Sequence, residues 1–266
     1  MKLMAKQQYI EDSLVESNER VDGNAYELVV RAPKIARIAT PGQFIMVSCA
    51  KTGRSPLLRR PISIHDIQGD TFSLLYKVVG SGTEIMTEMR VGEKISMLGP
   101  LGKGFRIGKT RHHCLVGGGI GIAPLLHLAR MIRQSDHLSQ ITILEGAQSS
   151  QDLMILDKLQ TMGEVMVSTD DGSQGHHGFV TELLDRLSVE ETTVYTCGPI
   201  PMMKAVAAVC RAHNWDCQIA METHMACGMG ACLGCSFLRA GEHQGVEKYV
   251  HVCKDGPVFD AEEIWV

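Results

Sequence analysis

The run Cys227-Gly-Met-Gly-Ala-Cys232-Leu-Gly-Cys235, followed by a lone Cys253, constrains this chain more than any other stretch. C-x4-C-x2-C with a distant fourth cysteine is the plant-type [2Fe–2S] spacing. Four thiolates around two irons need a loop that wraps them. Gly228, Gly230 and Gly234 let its backbone come close and turn N–H groups toward sulfur. Structural zinc also takes four cysteines, but usually as two C-x2-C-like knuckles, and only one is present. Unligated thiols are the third reading. His224 lies near the loop without a C-x-H pairing, which argues against a Rieske set. The chain has nine cysteines, an odd number, and its start, MKLMAKQQYIEDSL, lacks an apolar h-region. A reducing cytoplasmic setting with thiols used as ligands is therefore expected, not a disulfide framework. Cys49, Cys114, Cys197, Cys210 and Cys217 fall in apolar patterns and read as small core residues.

A length of 266 residues sets a prior of about two domains. The net charge of −4 gives no electrostatic footprint for nucleic acid, and no apolar run reaches a membrane span of roughly 18 residues. Six short runs, YIEDSLVES, AYELVVRA, QFIMVSCA, PISIHDI, FSLLYKVV and KISMLG, read as strands of a small antiparallel barrel, with a helix expected over 84–89. After Gly108 apolar strands (HHCLVGG, QITILEGA, EVMVSTD, TTVYTCG, DCQIAME) alternate with helical patterns over 123–134, 152–161, 180–187 and 202–213. That alternation predicts a doubly wound parallel sheet. The expected organisation is a barrel over 1–108, an α/β domain over 109–221 and a cysteine module over 222–266.

Two glycine-rich turns stand out. Gly117, Gly118, Gly119 and Gly121, in VGGGIGIAP, follow a strand and open a helix, where pyrophosphate meets backbone N–H groups. The run does not fit G-x-G-x-x-G, and a plain strand-to-helix turn is the bland alternative. Cys197-Gly198-Pro199 ends another strand at the same carboxyl edge, where ligands of such sheets bind. In the barrel, Arg59 and Arg60 suit phosphate, and Gly80-Ser-Gly82-Thr83, with Thr83 as expected N-cap, suits the same anion. Asp170 and Asp171 end a strand where a carboxylate would favour ribose hydroxyls over a 2′-phosphate; a turn role is the alternative.

Arg60-Pro61-Ile62-Ser63 resembles the R-x-[YF]-[ST] flavin motif of the ferredoxin–NAD(P)+ reductase superfamily, with Ile62 in place of the aromatic. GGGIGIAP and CGP resemble its nicotinamide motifs. MACGMGACLGC…YVHVCKDGPVFD resembles, more specifically, the electron-transfer subunits of NAD-dependent dihydroorotate dehydrogenases, and the likeness spans essentially the whole chain. The resemblance implies FAD in the barrel, held by Arg60 to Ser63, Leu75, Tyr76, Lys77, Gly82 and Thr83. Ser63 would face the flavin N5 edge and Arg60 the pyrophosphate. It implies NAD at the α/β glycines, with Cys197 near the nicotinamide, and cluster ligands Cys227, Cys232, Cys235 and Cys253. It also implies a heterotetramer, two plus two, with an FMN-containing subunit that oxidises dihydroorotate in pyrimidine (UMP) biosynthesis. Rival readings are the small subunit of a sulfide dehydrogenase or ferredoxin:NADP+ oxidoreductase, in which an aspartate can replace one cluster cysteine, and a zinc-tailed binding protein. No role is assigned to the charged stretch Arg239–Gly245.

Overall fold

The structure is a computed structural model that describes residues 7–50, 55–241 and 248–265. The first unit is one curled antiparallel sheet of β1 (Tyr9–Arg20), β2 (Ala25–Arg31), β3 (Phe44–Val47), β4 (Arg60–Ser63), β5 (Asp66–Gln68), β6 (Thr71–Lys77) and β7 (Lys94–Leu101). Its order is β4-β3-β7-β1-β2-β6-β5, and the short α1 (Pro33–Ala36) follows β2. Alternate side chains converge inside: Leu28 and Val30 from β2, Ile45 and Val47 from β3, Phe72 and Leu74 from β6, Ile95 and Met97 from β7.

Seven strands replace the six expected, because PISIHDI is two strands. β4 and β5 lie at opposite ends of the sheet, and the chain crosses between them at Ile64 and His65. There Ile64 N–H donates to Gln43 O (3.0 Å) and His65 N–H to Ser73 O (2.8 Å), which ties the two edges together. The barrel's helix also starts earlier than expected. It is α2 (Ser81–Thr87), and Thr83 is not its N-cap but lies one turn in, accepting from the N–H groups of Val79 (3.0 Å) and Gly80 (3.2 Å).

The second sheet contains β8 (His112–Gly118), β9 (Gln140–Ala147), β10 (Glu164–Thr169), the two-residue β11 (His176–His177), β12 (Thr192–Cys197) and β13 (Asp216–Ala220). All pair in parallel, in the order β11-β10-β9-β8-β12-β13. α3 (Ala123–Ser135) covers one face with Leu125, Leu128 and Ile132 over Leu115 and Ile143. α5 (Val180–Asp185) and α6 (Ile200–His213) cover the other, with Leu184 and Val206 over Cys114 and Val116. That is the doubly wound arrangement. The helix expected over 152–161 is interrupted: a 3-10 turn spans Ser150–Asp152, Ile155 takes a left-handed backbone (φ 54°), and only α4 (Leu156–Gln160) is helical.

The C-terminal module is small: β14 (Ser236–Leu238) pairs with β15 (Tyr249–His251), followed by α7 (Val252–Asp255), β16 (Val258–Asp260) and α8 (Ala261–Ile264). β16 joins the large sheet antiparallel to β13, a pairing too short and too distant in sequence to be expected. Cys235, Val250, Val252 and Cys253 share an apolar cluster with Phe44, Met46 and Leu101 of the barrel and Met203 and Ile219 of the α/β unit, so the module is wedged against both.

Candidate functional site

A crevice of about 260 Å³ opens where the three parts meet. Pro61, Ile62, Ser63, Leu75, Tyr76, Lys77 and Thr83 form its barrel wall, Ile120 and Ala123 come from the α/β unit, and Glu222, Thr223 and Met225 from the segment leading to the cysteines. Most of the barrel residues expected to hold flavin thus face one space. Tyr76 offers it little beyond backbone: its ring stacks on Tyr26 (5.9 Å), its hydroxyl donates to Asn18 Oδ1 (3.2 Å), and burial holds the phenol well above the usual range. The Lys77 ammonium bridges to Asp152 across the domains (3.2 Å).

At the edge of this space Arg60 lies across the start of α2. A Cβ at Gly82 would sit 2.5 Å from Arg60 Nε, so only glycine lets the guanidinium rest there. A planar cation beside a helix start is a cradle of the size and charge for a pyrophosphate. Arg59 has a different task. Its guanidinium donates to Ser96 O (2.7 Å) and Ser96 Oγ (2.9 Å) and staples the barrel. Ile62 is half-buried on the crevice wall, paired with Ile45 of β3, and brings an aliphatic side chain to that wall.

The strand order of the large sheet reverses between β8 and β12, so their carboxyl ends form the switch-point crevice. Gly117 and Cys197 are paired there. The glycines after β8 form a 3-10 turn (Gly119–Ile122) leading into α3, with Pro124 in the first helical turn. A Cβ at Gly121 would strike the Cys197 carbonyl, and one at Gly118 would meet Met202 and Pro199 beside Gly198, so the turn and the CGP corner fit together without side chains. The Cys197 thiol is buried and donates toward Glu222 Oε1 (3.9 Å); burial, then the Glu222 carboxylate, push its pKa far up. Glu222 itself remains open at the crevice mouth, and the protein crowded around it raises its carboxyl pKa. No motif marks Glu222 in the sequence; its one signal is a carboxylate between a strand-like run and the cysteines. Asp170 and Asp171 follow β10 at the same sheet edge. Asp171 is engaged in a turn, accepting from Ser173 N–H (2.9 Å) and Ser173 Oγ (2.6 Å), whereas Asp170 anchors only its own N–H, to Ala147 O (3.0 Å), and its exposed carboxylate makes no hydrogen bond among the described residues.

The four module cysteines form two pairs. Cys235 Sγ and Cys253 Sγ are 3.2 Å apart and buried. Cys227 and Cys232 lie together at the outer rim, Cys232 N–H turned to Cys227 Sγ, with Cys232 exposed. Backbone N–H groups point at the sulfurs: Ala231 (3.3 Å) and Cys232 (3.4 Å) at Cys227, Gly230 (3.1 Å) at Cys253, and Cys253 (3.4 Å) at Cys235. Burial raises the Cys227 thiol, but these N–H donors outweigh it and bring the pKa down to about 6. Burial and then the Cys235 thiol push Cys253 up to about 12. Two buried sulfurs in contact with no disulfide are costly as thiols and favourable as ligands, because a metal ion displaces their protons. Among the described residues no three His, Cys, Asp or Glu side chains are grouped to hold a metal ion. Four thiols in two pairs are the soft donor set that a sulfur-ligated metal centre would use. The other cysteines are core: Cys49, Cys114, Cys197 and Cys210 are buried and Cys217 half-buried. The stretch Arg239–Gly245 lies outside the described residues beyond Gly241.

A curled flavin-type barrel and a doubly wound nucleotide sheet meeting at one crevice, with the lead-in to a four-cysteine loop on its wall, define a reductase of the ferredoxin-reductase-like class. Consistent with this, residues 115–208 match the oxidoreductase NAD-binding domain, and residues 222–265 match the iron-sulfur cluster binding domain of dihydroorotate dehydrogenase B. Across its length the chain is similar to the dihydroorotate dehydrogenase B (NAD(+)) electron transfer subunits of Caldanaerobacter subterraneus subsp. tengcongensis (38% identical; 93% of this chain, 95% of the relative) and Fusobacterium nucleatum (37%; 96% and 98%). It superposes on a chain of an NADH-dependent reduced ferredoxin-NADP oxidoreductase with a TM-score of 0.82 at 26% identity, covering 96% of this chain and 90% of the other. The chain belongs to the family of dihydroorotate dehydrogenase B electron transfer subunits.

Proposed function

We propose that this chain carries electrons between an FMN-containing, dihydroorotate-oxidising partner subunit and NAD+, through a [2Fe–2S] cluster and FAD, in pyrimidine (UMP) biosynthesis. The observation that carries the reading is the shared crevice: flavin-wall residues, the dinucleotide turn and the lead-in to the cysteines line one space. FAD exchanges two electrons with a nicotinamide and single electrons with a cluster, so it converts between the two regimes. The chain's own residues bind and orient. Arg60, with Gly82 and Thr83 beneath it, would clamp the FAD pyrophosphate. Pro61 to Ser63 and the backbone of Leu75 to Lys77 would bound the ring, with the Ser63 hydroxyl as hydrogen-bond donor at its reactive edge. Gly117, Gly118, Gly119, Gly121 and Gly198 would present bare backbone to NAD, with Cys197 packed behind them, and Asp170 would bind the adenosine ribose and disfavour a 2′-phosphate. Glu222, with a raised pKa and open to the crevice, can hold or release a proton there. Cys227 and Cys232 would hold one iron, Cys235 and Cys253 the other.

The division into 1–108, 109–221 and 222–266 follows these three tasks. Cys232, Met229 and Leu233 are exposed beside the cluster pairs, which supports docking of the partner at this end, in a complex of two copies of each subunit. No helix among the described residues is long and apolar enough to cross a membrane, and we place the complex in the cytoplasm. Anaerobic titration tests the reading. The purified chain should be coloured, release FAD on denaturation, and lose its flavin absorbance on addition of NADH. A colourless protein with one zinc per chain would overturn it.

A further inference from the structure

We propose that His65 is a positioning residue for electron exchange with the nicotinamide, fixing the dinucleotide turn of the α/β unit against the flavin wall of the barrel. The inference rests on the reading that flavin and NAD meet in this crevice. His65 sits where the chain crosses between the two edges of the barrel sheet, two residues after Ser63 and fully buried. From there it holds the start of α3 at two points one turn apart. Its ring Nδ1 lies 2.6 Å from Ala123 O, and its own carbonyl accepts from His127 N–H at 3.1 Å. Ala123 is the residue at which the Gly119–Ile122 turn becomes helix, and it lines the same crevice as Ser63.

The ring's chemistry suits the task. A carbonyl only accepts, so Nδ1 carries the proton. Burial disfavours the imidazolium, leaving a neutral ring whose Nε2 makes no hydrogen bond and faces the Glu27 carboxylate at 4.0 Å. Glu27 is in turn held by Lys158 of α4 at 2.6 Å. The next residue, Asp66, grips α3 too, but two turns along, through a fork to Arg130 (2.9 and 2.8 Å). The two contacts therefore separate in role. Asp66 attaches the helix to the barrel, whereas His65 sets the height of the turn that carries the dinucleotide, where errors of about 1 Å are costly in rate.

The test compares His65→Asn, whose amide N–H can replace Nδ1–H, with His65→Gln, whose longer side chain imitates Nε2, and with Asp66→Asn. In the full chain carrying flavin and cluster, anaerobic stopped-flow mixing with NADH should show the saturating rate of flavin bleaching within about 2-fold of wild type for His65→Asn, and lowered by roughly 10- to 100-fold for His65→Gln. Asp66→Asn should lower Tm and leave the bleaching rate in place. Amide exchange supplies a readout independent of turnover: His127 N–H should be protected in wild type and His65→Asn and should open in His65→Gln. Equal rates in wild type and His65→Gln, or equal losses in all three variants, would overturn the proposal. If His65→Gln does not fold, an unprotected His127 N–H in wild type, or a His65→Asn rate as low as a helix detachment would give, overturns it. A wild-type chain that NADH does not bleach counts against the flavin–nicotinamide reading, while His127 exchange still reports on the His65 contact.

Discussion

In and around the crevice between barrel and sheet, several of the polar groups that shape the walls already have protein partners. Thr83 Oγ1 holds two N–H groups, Lys77 holds Asp152, His65 holds Ala123, and the Gly117–Gly121 turn is seated against the Cys197 corner. In the cysteine loop the sulfurs lean on one another and on a few N–H groups, over a two-stranded hairpin of three residues each. The crevice is a shape the fold maintains by itself, as preorganised sites on strands do. The loop offers four thiols whose common centre would come from metal, so its folding free energy would be tied to binding. Flavin chemistry and cluster chemistry should therefore fail separately.

The largest effect should come from Cys232→Ser. Its exposed position makes it the module cysteine whose loss disturbs packing least. It should abolish the cluster absorbance and electron delivery from the partner, with flavin-dependent oxidation of NADH by an artificial acceptor largely intact. Loss of both together would erase the distinction between the two regions. Removing iron by chelation should likewise speed amide exchange at Gly230, Ala231 and Cys232 and leave β8 and β12 protected. Next, Gly121→Val drives a side chain into the Cys197 carbonyl, and should weaken NADH binding on the order of 100-fold, about 2.7 kcal/mol, with FAD content unchanged. Calorimetric titration with NAD+ checks it. Ser63→Ala should slow flavin reduction roughly 10-fold at unchanged FAD content, as loss of one hydrogen bond at a reacting edge does. The smallest effect is at the ribose: Asp170→Asn should reduce the preference for NADH over NADPH about 3- to 10-fold, measured as the ratio of kcat/KM values. Asp171→Asn should leave that ratio unchanged, because Asp171 serves its own turn.

The cysteine spacing and the alternating α/β segments were legible because both are local patterns. β8 and β9 match HHCLVGG and QITILEGA to the residue. The barrel's seventh strand was hidden, since PISIHDI keeps one apolar character while its chain changes partners at Ile64 and His65, and partner choice leaves no periodic mark. The start of α2 was missed because Thr83 resembles a cap but acts from inside the helix. The pairing of β16 depends on a contact with β13 some forty residues earlier. Glu222 escaped for the same kind of reason: only the fold turns the end of β13 toward the crevice that Ser63 lines.

That pairing of β13 with β16 says something about modularity. Ala220 and Val258 are registered neighbours on antiparallel strands, and Met221 N–H donates to Pro257 O at 2.9 Å. The chain leaves the sheet for its cysteine excursion and returns to the point of departure, one strand spacing away. Segments with adjoining ends can be exchanged with little disturbance to the host. The cysteine excursion is thus an insertion that starts and ends at one point of the sheet, while its inner side, Cys235, Val250, Val252 and Cys253, packs on both units. Closing Met221 onto Pro257 with a short turn should remove the cysteines, uncover Phe44, Met46 and Met203, and strip Glu222, Thr223 and Met225 from the crevice wall, which a lowered Tm would report.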